Sequence, residues 1–182
     1  RILAAFAVAA VSLVAFVLLE LRQRLPMLDL SLFRNRGFAG ANAVMLLVGL
    51  AMFGVFFYVS LYVQQILGYS PVQAGAIFLP MTLLIVLIAP PAGKLSDRLG
   101  SRLLCTVGCA IIALAQFSLA SLDIQASVIR IMFPLVIWGM GWALFNAPNQ
   151  SSILGAVSAQ KIGAAAGMIA TTARAGGAMG VA

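Results

Sequence analysis

An all-α, polytopic membrane fold is what this sequence predicts, and three observations carry it. Of its 182 residues 63% are hydrophobic, 8% are charged and none is His. Soluble domains carry roughly 25% charged residues, so this chain lacks the groups to cover a globular surface. Second, uncharged apolar runs of membrane-crossing length recur along the sequence. Third, charge is confined to the short segments between them. The sharpest case is Gly93-Lys94-Leu95-Ser96-Asp97-Arg98-Leu99-Gly100-Ser101-Arg102, a polar hairpin with four charges. It stands between Ala74–Ala92 and Leu103–Leu122, neither of which holds any charge. A tight charged turn between two such runs is a chain crossing a bilayer and turning at one face.

Six spans are expected: Ile2–Leu19, Phe38–Val63, Val72–Ala92, Leu103–Leu122, Ile131–Pro148 and Ile162–Ala182, the last cut short. Each is near the ~20 residues a helix needs to cross the hydrocarbon core. The runs are continuous rather than alternating, which argues against barrel strands. The chain opens at Arg1 and stops inside an apolar run at Gly180-Val181-Ala182, as a piece of a longer protein would. No cleavable leader is visible at its start.

The loops orient the spans. Arg22, Arg24, Arg34 and Arg36 follow the first; Lys94, Arg98 and Arg102 follow the third; Lys161 follows the fifth. The alternate loops hold only Arg130. This bias places the basic turns in the cytoplasm. Glu20 to Arg34 mixes charges with apolar side chains and reads as an amphipathic connector along the inner interface, or as a plain linker.

Composition also excludes functions. The net charge of +7 comes from arginines that flank spans, not from a basic face, so nucleic acid is not a partner. Cys105 and Cys109 share one span with no His beside them and read as small packing residues, so neither metal nor cofactor is expected. The four acids, Glu20, Asp29, Asp97 and Asp123, all fall at span ends, and no catalytic set can be assembled. An enzyme is not expected.

Inside the spans, Gly163 and Gly167 lie four apart, as do Gly176 and Gly180, and Gly139 and Gly141 share the fifth span. Such spacing lets helices pack closely in lipid. Pro80, Pro90, Pro91, Pro134 and Pro148 should bend spans three and five. Arg174 is the one charge well inside a span, about 18 Å in when counted from Ile162 at 1.5 Å per residue. A lipid-facing Arg there costs roughly 2.5–3.5 kcal/mol, so it is expected to face the bundle interior or a watery cavity; snorkelling to the outer surface is the rival. Gly163, Gly167 and Gly180 are read near helical register with it, as one closely packed inner face. Its partner is a backbone carbonyl, Asn146, Asn149, Gln116, a group outside this stretch, or an anionic ligand.

A resemblance joins these readings. Gly93, Leu95, Asp97, Arg98, Gly100 and Arg102 match the major facilitator superfamily loop pattern G-x-L-a-D-r-x-G-r-k, with Ser101 where a basic residue is usual. The wider chain resembles the fourteen-helix drug:proton antiporters of the EmrB/QacA type. The carrying residues are Glu20-Leu21-Arg22, Pro26-Met27-Leu28 and Leu32 to Phe38, then Leu61 to Pro71 with Gln73-Ala74-Gly75, and Arg174 to Gly180. The resemblance implies that residues 1–36 are an extra central helix with its connector. Residues 37–182 would be the first five helices of the C-terminal bundle. It also implies a multi-pass protein of a bacterial inner membrane that exchanges amphipathic compounds for protons by alternating access. Its partners would be the bilayer, a small-molecule substrate, protons and the N-terminal half of the same protein. The hairpin would then be the conformational-switch loop, with Asp97 capping or pairing across helix ends through Arg98 and Arg102. The alternatives are a facilitator for a lipid, sugar or metabolite, and a non-transporting sensor or scaffold. Upstream sequence separates them: an acid in the first helix and a Pro-Gly motif in the fifth belong to the antiporter.

Overall fold

The computed structural model describes residues 30–123 and 126–181, together with scattered helical positions between 7 and 19. Half of the expected span Ile2–Leu19 and most of its connector therefore fall outside the described residues. Described structure begins with a 3-10 turn at Leu30–Arg34, whose Leu32 is buried and whose Phe33 meets Phe38 edge to face at 5.5 Å. Asn35 then starts helix α1, Arg36–Gln65. Its Oδ1 accepts from the backbone N–H of Gly37 at 2.9 Å and of Phe38 at 3.4 Å, satisfying donors that the first turn leaves open.

The third expected span is two helices. Ser70 caps α2, Pro71–Ile77, in a capping box: its Oγ accepts from the Gln73 N–H, and the Gln73 Oε1 accepts from the Ser70 N–H. Pro80 has no N–H and its ring crowds the preceding turn. The helix breaks at Phe78 and restarts as α3, Leu79–Leu99, with Pro80 in its first turn. Pro90 and Pro91 lie inside α3 without ending it.

Here the polar hairpin differs from expectation. Residues Gly93 to Leu99 are the last turns of α3, and the reversal is confined to Gly100, at φ +85°. Only a residue without Cβ adopts that backbone freely. Helix α4 starts at once, Ser101–Ala120. Helix α5, Val128–Gly155, carries Pro134 and Pro148 inside it and runs seven residues beyond the expected end at Pro148. A 3-10 turn, Ala159–Lys161, leads into α6, Ile162–Val181.

α1, the α2–α3 stretch, α4 and α5 are each long and apolar enough to cross a membrane. α6 is twenty residues long, but its glycines, threonines and Arg174 leave it less apolar. α5 is the centre of the packing, with Ile131, Leu135, Trp138, Phe145 and Ile153 buried. Val86, Leu87, Phe117 and Ile129 point outward and are exposed, as apolar side chains do where the surroundings are lipid.

Glycines set the helix crossings. A Cβ at Gly108 would sit 2.8 Å from the Gly141 carbonyl oxygen on α5, and one at Gly49 would sit 2.8 Å from that of Ala173 on α6. Gly176 and Gly180 press on the Leu46 and Leu50 carbonyls of α1, and Gly139 on Met81 of α3. Close backbone approach is what holds helices together where no hydrophobic drive exists between them. Gly163 and Gly167 do not share this role: both are exposed, and a Cβ there meets nothing within 4 Å among the described residues. They lie about half a turn around α6 from Gly176, so one pair faces α1 and the other faces away.

Candidate functional site

The polar residues singled out by the sequence separate into four places. Asn149 is buried and its Nδ2 donates to the Ala41 carbonyl at 3.4 Å, tying α5 to α1. Close by in sequence on α1, Asn42 is also buried; its Nδ2 donates to the Phe38 carbonyl at 3.0 Å, and its Oδ1 has no partner among the described residues. Asn149 thus ties two helices together, whereas Asn42 bonds only within its own. Gln116 is half-buried on α4 and lines a groove of about 460 Å³ between α1 and α4, together with Tyr58 and Tyr62. Tyr62 closes one end by donating its hydroxyl to the Asp123 carbonyl at 2.7 Å.

Asn146 lies elsewhere, in a cleft between α3 and α5. There Gln150 donates from Nε2 to the Asn146 Oδ1 at 2.6 Å. With Trp142, Ile85 and Ala89 these side chains line a cavity of about 120 Å³. Trp142 stacks on Trp138 at 5.7 Å with ring planes 14° apart, and meets Phe145 at 6.1 Å. Trp138, Trp142, Asn146 and Gln150 recur every fourth residue on α5. Four residues overshoot a 3.6-residue turn, so the row winds slowly around the helix. It runs from buried Trp138, through half-buried Trp142 and Asn146, to exposed Gln150. Sequence reasoning passed over Trp142 and Gln150. The signal available was that four-residue recurrence of flat or amide side chains in a span.

Arg174 is exposed, on the side of α6 that carries Gly163 and Gly167. Gly180 lies on the other side, against α1. Among the described residues none of Asn146, Asn149 and Gln116 bonds Arg174, which leaves a group outside this stretch or an anionic ligand among the expected partners. Asp97, Arg98 and Arg102 are exposed, and among the described residues no ion pair joins them. Gly93 to Leu99 is helical, so Asp97 stands on the last turn of α3 and Arg102 on the first turn of α4. Ser96, not Asp97, is the polar side chain that the bundle buries there.

Among the described residues no group of three His, Cys, Asp or Glu could hold a metal. Cys105 and Cys109 are free thiols, and the Cys105 Sγ lies 3.8 Å from the Phe145 carbonyl at the α4–α5 contact. The described site can therefore stack on a flat ring and offer amide donors and acceptors beside it.

Membrane-length helices, apolar outward faces and polar groups turned into clefts define a multi-pass integral membrane protein. The family model of the Major Facilitator Superfamily matches residues 2–181, and the chain belongs to that superfamily. Among its relatives is Riboflavin transporter RibZ of Clostridioides difficile, 34% identical over 163 residues, covering 88% of this chain and 36% of the relative. Multidrug resistance protein Stp of Mycobacterium tuberculosis is 30% identical over 174 residues, covering 96% of this chain and 32% of that protein. Quinolone resistance protein NorB of Staphylococcus aureus is 30% identical over 179 residues, covering 97% and 38%. The chain thus spans about a third of the length of these curated relatives.

Proposed function

We propose that the whole protein is a drug-efflux transporter of a bacterial inner membrane that exports flat, amphipathic aromatic compounds in exchange for protons, by alternating access. The observation that carries the substrate class is the cleft where Trp142 stands beside the Asn146–Gln150 amide pair. A ring on Trp142 leaves its polar edge within reach of those amides. Two of the relatives carry names for multidrug and quinolone resistance. Among the described residues the acids of the helical region, Asp97 and Asp123, lie at the end of α3 and after α4. The coupling carboxylate would therefore come from elsewhere in the protein.

The test is export of ethidium and of a quinolone from inverted vesicles holding the full-length protein. Trp142→Ala should lower both by about tenfold, with Trp142→Phe near wild type and Gln150→Ala between them. Unchanged export by Trp142→Ala would remove the cleft from the substrate path. A second reading, a vitamin-sized metabolite as cargo, is favoured by the relative named for riboflavin. Competition of ethidium export by riboflavin would favour it.

The same reading puts the α3–α4 turn in the cytoplasm. Exposed Leu99, changed to Cys in a background with Cys105→Ser and Cys109→Ser, should be silent to an impermeant maleimide in intact cells and react after permeabilisation. Labelling from outside would reverse the orientation.

A further inference from the structure

Helix α6 has two unlike faces. Ala165, Met168, Ile169, Gly176 and Gly177 are buried, and the α1 contacts of Gly176, Gly177 and Gly180 mark that side as the one turned to α1. The other carries Gly163, Gly167, Ala170, Arg174 and Ala178, all exposed. Arg174 lies level with the middle of a membrane-length helix: its neighbour Ala173 meets Gly49, close to the centre of α1, Arg36–Gln65. No hydrogen bond or ion pair reaches its guanidinium among the described residues. A charge held there against lipid tails is costly, and such residues turn instead to a protein partner or a watery cavity.

We propose that this face of α6 is a helix-docking surface, and that its occupant is a membrane-spanning helix of the same full-length protein bearing an Asp or Glu level with Arg174. Charge complementarity is the first reason. Asp97 and Asp123 stand at span ends, so Arg174 is left uncompensated by the described helices. Shape is the second. Gly163 and Gly167 leave open space, and small residues one turn apart let a second backbone come close enough for a short carboxylate to reach the guanidinium. The chain spans about a third of its relatives' length, and the occupant belongs to the remainder. This pairing does not depend on what the protein carries.

The experiment uses the full-length protein in native membranes, with benzoylphenylalanine placed at Gly167 and, separately, at Ala178. Illumination, digestion and mass spectrometry should return a cross-link within one chain, to a spanning peptide that contains Asp or Glu. Arg174→Glu should then lower the yield of folded protein by at least about tenfold, and exchanging the identified acid for Arg in that variant should restore most of it. Adducts to lipid alone, to a second copy or to a helix without an acid would overturn the proposal. Failure of the charge exchange to rescue folding would overturn it as well. An anionic cargo as the true partner would show as lipid adducts together with loss of anion binding in Arg174→Ala.

Discussion

Gly176→Ala is expected to separate α1 from α6 and to lower the melting temperature of the full-length protein in detergent by several degrees. The added methyl would run into the Leu46 carbonyl and would stand 3.1 Å from the Leu50 nitrogen. Both are backbone groups of a helix and cannot rotate aside. α6 must therefore move outward, which also loosens the contacts of Gly180 with Leu50 and of Gly49 with Ala173. Overpacking of this kind costs about 1–3 kcal/mol where a core can shift a little. Gly180→Ala meets the same obstacle one turn later, so the double variant should not be additive, because the first methyl already opens the interface for the second. Gly40→Ala is the control: it is exposed on α1 with nothing within 4 Å. There an alanine should stabilise by about 0.5–1 kcal/mol through helix propensity alone. Equal melting of Gly176→Ala and wild type would mean that α1 and α6 do not meet at these glycines.

Trp138→Ala should be the most damaging single truncation in the described helices. Trp138 is 1% exposed, packs at the centre of α5 and stacks on Trp142. Emptying a site of that size costs about 3–5 kcal/mol, since the surrounding helices collapse only in part. Trp138→Phe separates volume from polarity. The Trp138 Nε1 is buried with no hydrogen-bond partner among the described residues. An unmet buried donor carries a penalty of about 1–3 kcal/mol, which phenylalanine removes. Trp138→Phe should thus melt much closer to wild type than the lost ring volume alone implies. Thermal unfolding of the three proteins, followed by light scattering, reads the order directly. If Trp138→Phe proves as harmful as Trp138→Ala, the indole N–H has a partner in the full protein.

The helical class and the positions of the helices were legible because both rest on one-dimensional properties. Runs such as Leu103–Leu122 are uncharged over a membrane's thickness, and α4 forms at Ser101–Ala120. The α2 cap went unread, although Ser70, Pro71 and Gln73 stand in the order of the capping box they form. Less visible was the extent of helix at the charged end of α3. Lys94, Asp97 and Arg98 are good enough helix residues to continue it, and only Gly100 adopts the backbone that ends it.

By itself, the sequence determined that the chain is all-helical, that it is built for a bilayer, and that its charges, Arg174 apart, bound the spans. Which residues share a side of α6 was legible only in part: Gly163 and Gly167 go with Arg174, but Gly180, read with them, is six residues on and lies on the other side, against Leu50 of α1. Only the tertiary structure decided which side receives a partner. Both glycine pairs offer the same room, but α1 presents Leu46, Gly49 and Leu50 to one of them. Likewise Gln116, Asn146 and Asn149 are alike as amides in apolar runs, and neighbouring helices make one a groove wall, one half of a cleft pair and one a buried tie. In lipid every helix exterior is apolar, so hydrophobicity does not tell an inward face from an outward one. Contacts between helices do.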